Sequence, residues 1–510
     1  MDLDQHILAV VEPAIDPTKI EIVDIGEEAE GGDKQTKTVG VVIPSIQINK
    51  YLFGDKDINS CDIIMDGVLP EVVMELTDRN DAFGSDYSPR DGDCVTVFIN
   101  SKNVDTFKTI HMDFEITDIS SEGTSEGGYP TILVNGICKV PKLFAEVCRE
   151  FPNGTSLDHL EIIARDLKLG LATNIDTPDD AMQRIQAYTP TSDFIKSIVG
   201  SSYVADTSFQ KYFIDQYYYL NFIDVNRVFN SVNGSIEELQ ESLASMPLSI
   251  AEKGGDDETL DNIPTKLMLT NHQDHRSSNA YIRTYNLINN SNTVSLENGY
   301  ERNVSYYDNN SPDQKLLEFN IQPQVSENLS EIEEPLRGRR GDDTYKEQIK
   351  HKYMGRMNVG EDGLGNVHPQ ALYSTLNNIQ NEAELQKMYL IIELEEFNPS
   401  IYKYQKLPVM IYKYGRSQVE ALKVTKEQKQ ELDLDTEPIK DINKAEVTNE
   451  EAPDQMLDTF LSGYYVIGNI NYKYSVEVGL TQEVTLLRRE WPTRLNNLTE
   501  ENLAKDSAAS

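Results

Sequence analysis

The chain has 510 residues, too many for one ordinary hydrophobic core, and domains of about 100–200 residues would divide it into roughly three or four folding units. Its 85 acidic residues against 46 Lys and Arg give a formal charge of −39, the wrong sign for the electrostatics that drive most binding to nucleic acid or to an anionic membrane. A hydrophobic fraction of 39%, with 26 Tyr, 15 Phe and one Trp, excludes a wholly disordered chain.

Residues 1–37 are acidic and glycine-rich (GEEAEGGD) and read as an N-terminal arm. Asp2 and Asp4 stand where a secretory signal needs positive charge, and the apolar run from Ile7 to Val11 is too short for its hydrophobic segment. No later stretch approaches the ~20 apolar residues of a membrane span. A soluble chain in a reducing cytoplasm, or in something assembled there, is expected. Cys61, Cys94, Cys138 and Cys148 form no CxxC pair and have no histidine at zinc-ligand spacing, which predicts reduced, mostly buried thiols.

Residues 38–150 alternate with period two. VTVFIN sets Val95, Val97 and Ile99 on one face, and TIHMDFEIT sets Ile110, Met112, Phe114 and Ile116 inward with His111, Asp113 and Glu115 outward. Such strands are antiparallel with one wet face, and the turn clusters FGDKD, SPRDGD and SEGTSEGG suit closure as a small barrel or sandwich.

Between 151 and 262 the period becomes helical. TSLDHLEIIARDLKLG predicts a helix capped by Thr155 or Ser156 and stopped by Gly170. TPDDAM predicts a second, with Thr177 as cap and Pro178 in the first helical position, and SDFIKSIVG a third, ending at Gly200. SIEELQESLAS predicts a fourth, with Ser235 and Glu238 as a capping box. Between the last two, YFIDQYYYLNFIDVN (Tyr212–Asn226) alternates as a hairpin turning near Asp215 and Gln216, with Tyr218, Leu220 and Phe222 on one face. So dense a tyrosine cluster can be a core edge, a stacking platform or a docking surface.

Residues 263–420 return to strand patterning in LMLTN, NAYIRTYNLI, NVSYYDN, LLEFNIQP, KMYLIIELEEF and LPVMIYKY, with a polar insertion at about 326–366. A charged linker occupies 421–455. Two strands in 456–495 cannot bury themselves alone and are expected to complete the second β unit, before a tail at 496–510. The fold class is mainly β with a helical insert.

Chemistry is sparse. NHQDHR holds His272 and His275 without a further histidine nearby, which favours a structural role over a metal site. The stretch from Asp78 to Asp86 resembles a calcium loop only in composition, and EDGLGNVH (Glu361 to His368) lacks a phosphate-binding glycine pattern and lysine and reads as a turn. With no GxSxG elbow and no carboxylate pair singled out, no enzymatic activity, catalytic residue, cofactor or metal is expected.

The order of a β unit, a helical unit ending in the FID…LNFIDVN hairpin, a second β unit and an SGYYVIG…LLRREWP finish resembles the baseplate hub proteins of contractile-tailed bacteriophages, a superfamily that includes late control protein D and the N-terminal part of VgrG spike proteins. Ser192–Asn226, Leu269–Ile288, Lys406–Tyr412 and Leu461–Pro492 carry the resemblance, which spans about 40–495. It implies two tube-type antiparallel β-barrels per chain, separated by a small helix-plus-hairpin domain, and a homotrimer forming a ring of six barrels. Such a ring joins the sixfold tail tube to the threefold central spike and lines the DNA channel. The implied partners are the tail tube protein, the central spike protein, and baseplate wedge and tape measure proteins, in a virion tail assembled in the host cytoplasm, with no stable nucleic-acid or membrane binding. Tyr217–Tyr219 then pack core and domain contacts. The resemblance does not extend to the arm or to the insertion, whose roles it leaves open. The competing functions are a host-surface carbohydrate- or receptor-binding tail protein and a tail-associated peptidoglycan hydrolase. If a genome passes through such a ring, carboxylates facing the lumen would avoid holding its phosphates; the alternative is acids spread over the exterior for solubility.

Overall fold

The structure is a computed structural model that describes residues 7–15, 44–49, 51–54, 56–79, 92–99, 110–123, 128–231, 267–269, 281–290, 302–308, 316–321, 333–335, 349–355, 368, 370–394, 397–398, 401–414, 455–458 and 460–492. The expected helix at SIEELQESLAS, His272, His275, Asp81, Asp86, the arm apart from residues 7–15, the linker apart from Gln455 and the tail lie outside the described residues.

After β1 (Leu8–Val11), the first β unit runs through β2 (Ser45–Ile48), β3 (Tyr51–Phe53), β4 (Ile58–Ile64), β5 (Glu71–Thr77), β6 (Cys94–Ile99), β7 (Ile110–Glu122) and β8 (Thr131–Cys138). These pair antiparallel in the order β4-β5-β8-β7-β6-β2-β3. The period-two pattern puts Val72, Met74, Val95, Val97, Met112 and Phe114 fully inside. Asp113, expected outward, is buried: its carboxylate accepts from Thr96 Oγ1 at 2.7 Å.

The helical unit comprises β9 (Glu146–Gly154), α1 (Ser156–Leu167), β10 (Gly170–Thr173), β11 (Met182–Pro190), α2 (Thr191–Ser201), β12 (Gln210–Ile214), β13 (Tyr219–Asp224) and α3 (Val225–Asn230). Thr155 and Asp158 form the capping box of α1, satisfying backbone N–H groups that the first turn leaves unpaired. The helix stops at Lys168, in the left-handed region (φ 60°), and not at Gly170. Gly170 matters for packing instead, since a Cβ there would lie 2.5 Å from the Tyr219 ring and 2.8 Å from the Val11 carbonyl oxygen. The bare backbone lets β1 and the hairpin close on β10, giving the sheet β1-β10-β13-β12.

No helix begins at Thr177 and Pro178. Asp180 instead accepts from Ser156 N and Tyr203 N, and the chain continues as β11, antiparallel to β9. The buried side of β11 carries Met182, Arg184 and Gln186, so its strand period is masked by polar residues. Arg184 donates to His159 Nδ1 at 2.8 Å, and His159 Nε2 donates to the Pro152 carbonyl at 2.8 Å.

The remaining elements are β14 (Leu267–Leu269), β15 (Ile282–Asn289), β16 (Arg302–Asp308), β17 (Leu316–Ile321), β18 (Glu333–Pro335), β19 (Ile349–Gly355), α4 (Ala371–Gln386), β20 (Met388–Leu394), β21 (Lys406–Tyr414), β22 (Gln455–Leu457), β23 (Gly463–Ser475), β24 (Gly479–Leu487) and β25 (Glu490–Pro492). The polar insertion is not bare loop: β19 pairs with β16, and β18 with β25. Strands β15-β20-β24-β23 run antiparallel in sequence across the sheet, and β21 joins β23. Strand β23 also pairs with β4, Asn471–Ser475 lying opposite Ser60–Ile64, so the two β units share one continuous sheet. Among the described residues no pairing closes either half into a ring.

Two outcomes follow for stability. Phe222→Ala, at a fully buried position, is expected to cost about 3–5 kcal/mol, whereas Tyr188→Ala, at a position 74% exposed, should stay within about 0.5 kcal/mol in denaturant unfolding. Burial, helped by the Arg184 charge and opposed by the Pro152 hydrogen bond and by Asp158 and Asp180, holds the His159 pKa below its ordinary value. The unfolded chain therefore takes up more protons below about pH 6.5, and His159's contribution is complete above that pH and lost as pH falls toward the folded pKa. Wild type should lose more Tm than His159→Gln between about pH 7.5 and about pH 5.5.

Candidate functional site: a three-way junction and an acidic sheet face

The 212–226 hairpin sits where the helical unit meets both β units. Its turn is an Asx-type loop: Asp215 Oδ1 accepts from Tyr217 N at 2.8 Å and Tyr219 N at 3.0 Å, and Oδ2 from Asn221 Nδ2 at 3.1 Å. This turn puts Tyr218 in the left-handed region (φ 63°) and points its ring into the first β unit, where its hydroxyl accepts from Asp113 N at 2.8 Å. Ile214 N donates to the Val68 carbonyl at 2.8 Å, covering the outer edge of β12.

Both faces of the hairpin are buried, not the one face that alternation predicts. Tyr218, Leu220 and Phe222 join the main core, while Phe213 and Ile223 pack in a second cluster with Phe209, Val225, Leu385, Tyr404 and Val466. The second cluster ties the hairpin to α4 and β23. Polar contacts reinforce it: Lys406 Nζ donates to the Phe229 and Ser231 carbonyls at 2.9 and 2.6 Å, and Arg489 donates to Asn226 Oδ1. Asp224 caps α3, accepting from Asn226 N and Phe209 N, and burial pushes its carboxyl up to about 6.

Helix α4 docks through polar residues. Thr375 donates to the Gly200 carbonyl at 2.9 Å, His368 to that of Ser201 and Ser374 to that of Ser202, so carbonyls around the C-terminal end of α2, which has no left-handed cap, gain partners. Asn377 donates to the Ser208 carbonyl at 2.5 Å, and Asn378 Oδ1 accepts from Gln210 N at 3.0 Å. Lys211 pairs with Glu382. Burial holds His368 below the ordinary histidine value.

Where β4 leaves the joint with β23, the next loop is bolted down as well. Met65 N donates to Asn471 Oδ1 at 3.3 Å, and Lys403 Nζ donates to the Met65 and Asp66 carbonyls at 2.9 and 3.4 Å. A cavity of about 370 Å³ opens beside Lys403, walled by β1, the hairpin and the second β unit.

The wet face of the joined sheet is acidic. Register aligns Glu393 of β20, Glu483 of β24, Asn471 of β23, Ile64 of β4, Glu71 of β5, Ile137 of β8 and Glu115 of β7 in one row. Asp62, Glu75 and Asp118 lie on the same face, on which Lys473 reaches Glu483 at 2.7 Å. The row spans the β4–β23 joint, with the neutral Asn471 and Ile64 at the joint and carboxylates on either side of it. Sequence alternation marks these acids strand by strand, but only pairing shows that they align.

Chemistry elsewhere is limited. Among the described residues no group of three or more His, Cys, Asp or Glu is placed to hold a metal ion, and no helix is long and apolar enough to cross a membrane. All four cysteines are free: Cys61 and Cys138 are buried, with thiols pushed up to about 12 chiefly by burial, Cys94 is half-buried and Cys148 exposed.

No sequence-family model and no curated protein matches the chain. Among solved structures it is similar to the tail protein from Neisseria meningitidis MC58, at 11% identity over 88% of this chain and 97% of that one, with a TM-score of 0.45. It is similar to the 43 kDa tail protein of prophage MuSo2 from Shewanella oneidensis, at 8% identity over 88% and 98%, with a TM-score of 0.46. A component of the E. coli type VI secretion system is also similar, at 8% identity over 86% and 76%, with a TM-score of 0.38.

The junction makes a sharp prediction. Tyr218→Phe removes one oxygen and leaves the buried Asp113 N–H without its acceptor, so it should cost about 1–3 kcal/mol in chemical unfolding despite keeping the ring.

Proposed function

We propose that the protein is a structural hub of a contractile phage tail, acting as a homotrimeric adapter between the sixfold tail tube and the threefold central spike. The observation that carries this reading is the β4–β23 joint, which fuses two β units of one chain into a single sheet with carboxylates on its wet face on both sides of the joint. A chain with two such units can present six to a ring when three copies assemble, which matches one symmetry to the other. Carboxylates on that face suit a DNA channel, because fixed cations there would bind phosphate through counterion release and slow transit. The sequence resemblance from Ser192 to Asn226 and from Leu461 to Pro492 points the same way. In this reading the helical unit holds the two β units at a fixed angle, the contacts of the protein are with tube and spike proteins, and catalysis has no part.

Mass in solution tests this directly. Light scattering or native mass spectrometry of the full chain should give three times the chain mass, and electron microscopy of that species should show a ring with a central opening. A stable monomer at all concentrations, with no ring in the presence of tube and spike proteins, would overturn the adapter role.

A further inference from the structure

The junction cavity carries chemistry that an adapter role does not use. Its volume of about 370 Å³ falls within the range of about 300–1,000 Å³ typical of small-molecule sites, and is well above the roughly 150 Å³ that accommodates benzene. Flat apolar faces come from Phe213 and Tyr472, both buried, and Ala172 and Ile470 add further apolar surface. Lys403 lines the same space, is 8% exposed, and lies 4.9 Å from the Phe213 ring centroid.

Lys403 is unusual in its company. An ammonium has three donors; the carbonyls of Met65 and Asp66 take two of them, and among the described residues it forms no ion pair with a carboxylate. The Asp66 carboxylate favours the Lys403 charge without forming an ion pair, but burial and the neighbouring Lys211 outweigh it, and an anion in the adjoining space would offset the remaining cost. The cavity's own carboxylate, Asp215, has both oxygens engaged by Tyr217 N, Tyr219 N and Asn221 Nδ2.

We propose that this cavity is a binding site for a carboxylate carried on a single aromatic ring, the carboxylate accepting from Lys403 Nζ and the ring lying between Phe213 and Tyr472. The inference does not depend on the hub reading. Burial, helped by Lys211 and opposed by Asp66, lowers the Lys403 pKa to about 8, which leaves the amine mostly protonated near neutral pH and ready to pair. The same chemistry can be offered by a free aromatic acid or by the C-terminal phenylalanine of a peptide, and the two differ in how much must enter the cavity, whose exposed lining includes Ala9 and Tyr402.

The test is calorimetric titration of the full chain with phenylacetate, with phenylacetamide, and with a short peptide ending in phenylalanine. At least one of the two acids should bind saturably, and about tenfold or more tighter than the neutral amide. Binding of phenylacetate alone would identify a small-molecule site, and binding of the peptide a terminus-capturing one; either supports the proposal. Lys403→Met should abolish the preference for the acid. Ala9→Trp, at an exposed position on the cavity wall, keeps Lys403 and should block entry, so it serves if the lysine variant does not fold. Equal binding of acid and amide, no binding of either acid, or acid binding unchanged in a folded variant would overturn the proposal.

Discussion

Among the described residues the two β units are joined by the antiparallel pairing of β4 with β23. It joins Ser60–Ile64, near the start of the chain, to Asn471–Ser475, near its end. Backbone hydrogen bonds of this kind add little net energy each, about 0.5–1.5 kcal/mol, but leaving a buried strand edge unpaired costs more, so the joint holds as a set. Its side chains bury on the core side, where Cys61, Ile63, Tyr472 and Tyr474 meet. Closing so long a loop costs entropy that grows only slowly with its length, and the helical unit inserted between the two β units offsets it by packing against both.

The hairpin is what lets that insert act as a wedge. A hairpin with one wet face could serve only one neighbour. This one buries Tyr218 against the first β unit and Leu220 in the main core, and Phe213 and Ile223 toward α4 and β23. The Asp215 turn and the left-handed Tyr218 set the ring's direction, and Asp113 N fixes its hydroxyl. Carbonyl groups at the ends of α2 and α3 then receive donors from α4, Lys406 and their neighbours, so helix termini become the contact points between units.

Sequence alone carried β6 and β7 of the first unit, α1, α2 and the hairpin, because their apolar residues recur with clean periods. It failed where polar residues are the buried ones. Helix α4 hides Ser374, Asn377, Gln380 and Asn381 and so shows no hydrophobic stripe; β11 hides Arg184 and Gln186 in the same way. Strand β1 lies in a segment whose composition reads as an arm, and its pairing depends on a glycine more than 150 residues away in sequence, Gly170 against Val11. Lys403 and the cavity beside it had no local signal, since the walls come from β1, the hairpin and the second β unit. The β4–β23 joint has no sequence signature either, as any two alternating strands could have met.

That joint is the claim on which the adapter reading rests, and amide hydrogen exchange measures it residue by residue. Amides of Ser60–Ile64 and Asn471–Ser475 should be protected as strongly as those of interior strands β5 and β8. Exchange at the fast rates of exposed sheet edges, with the two β units otherwise intact, would show that they are separate bodies and contradict the continuous sheet.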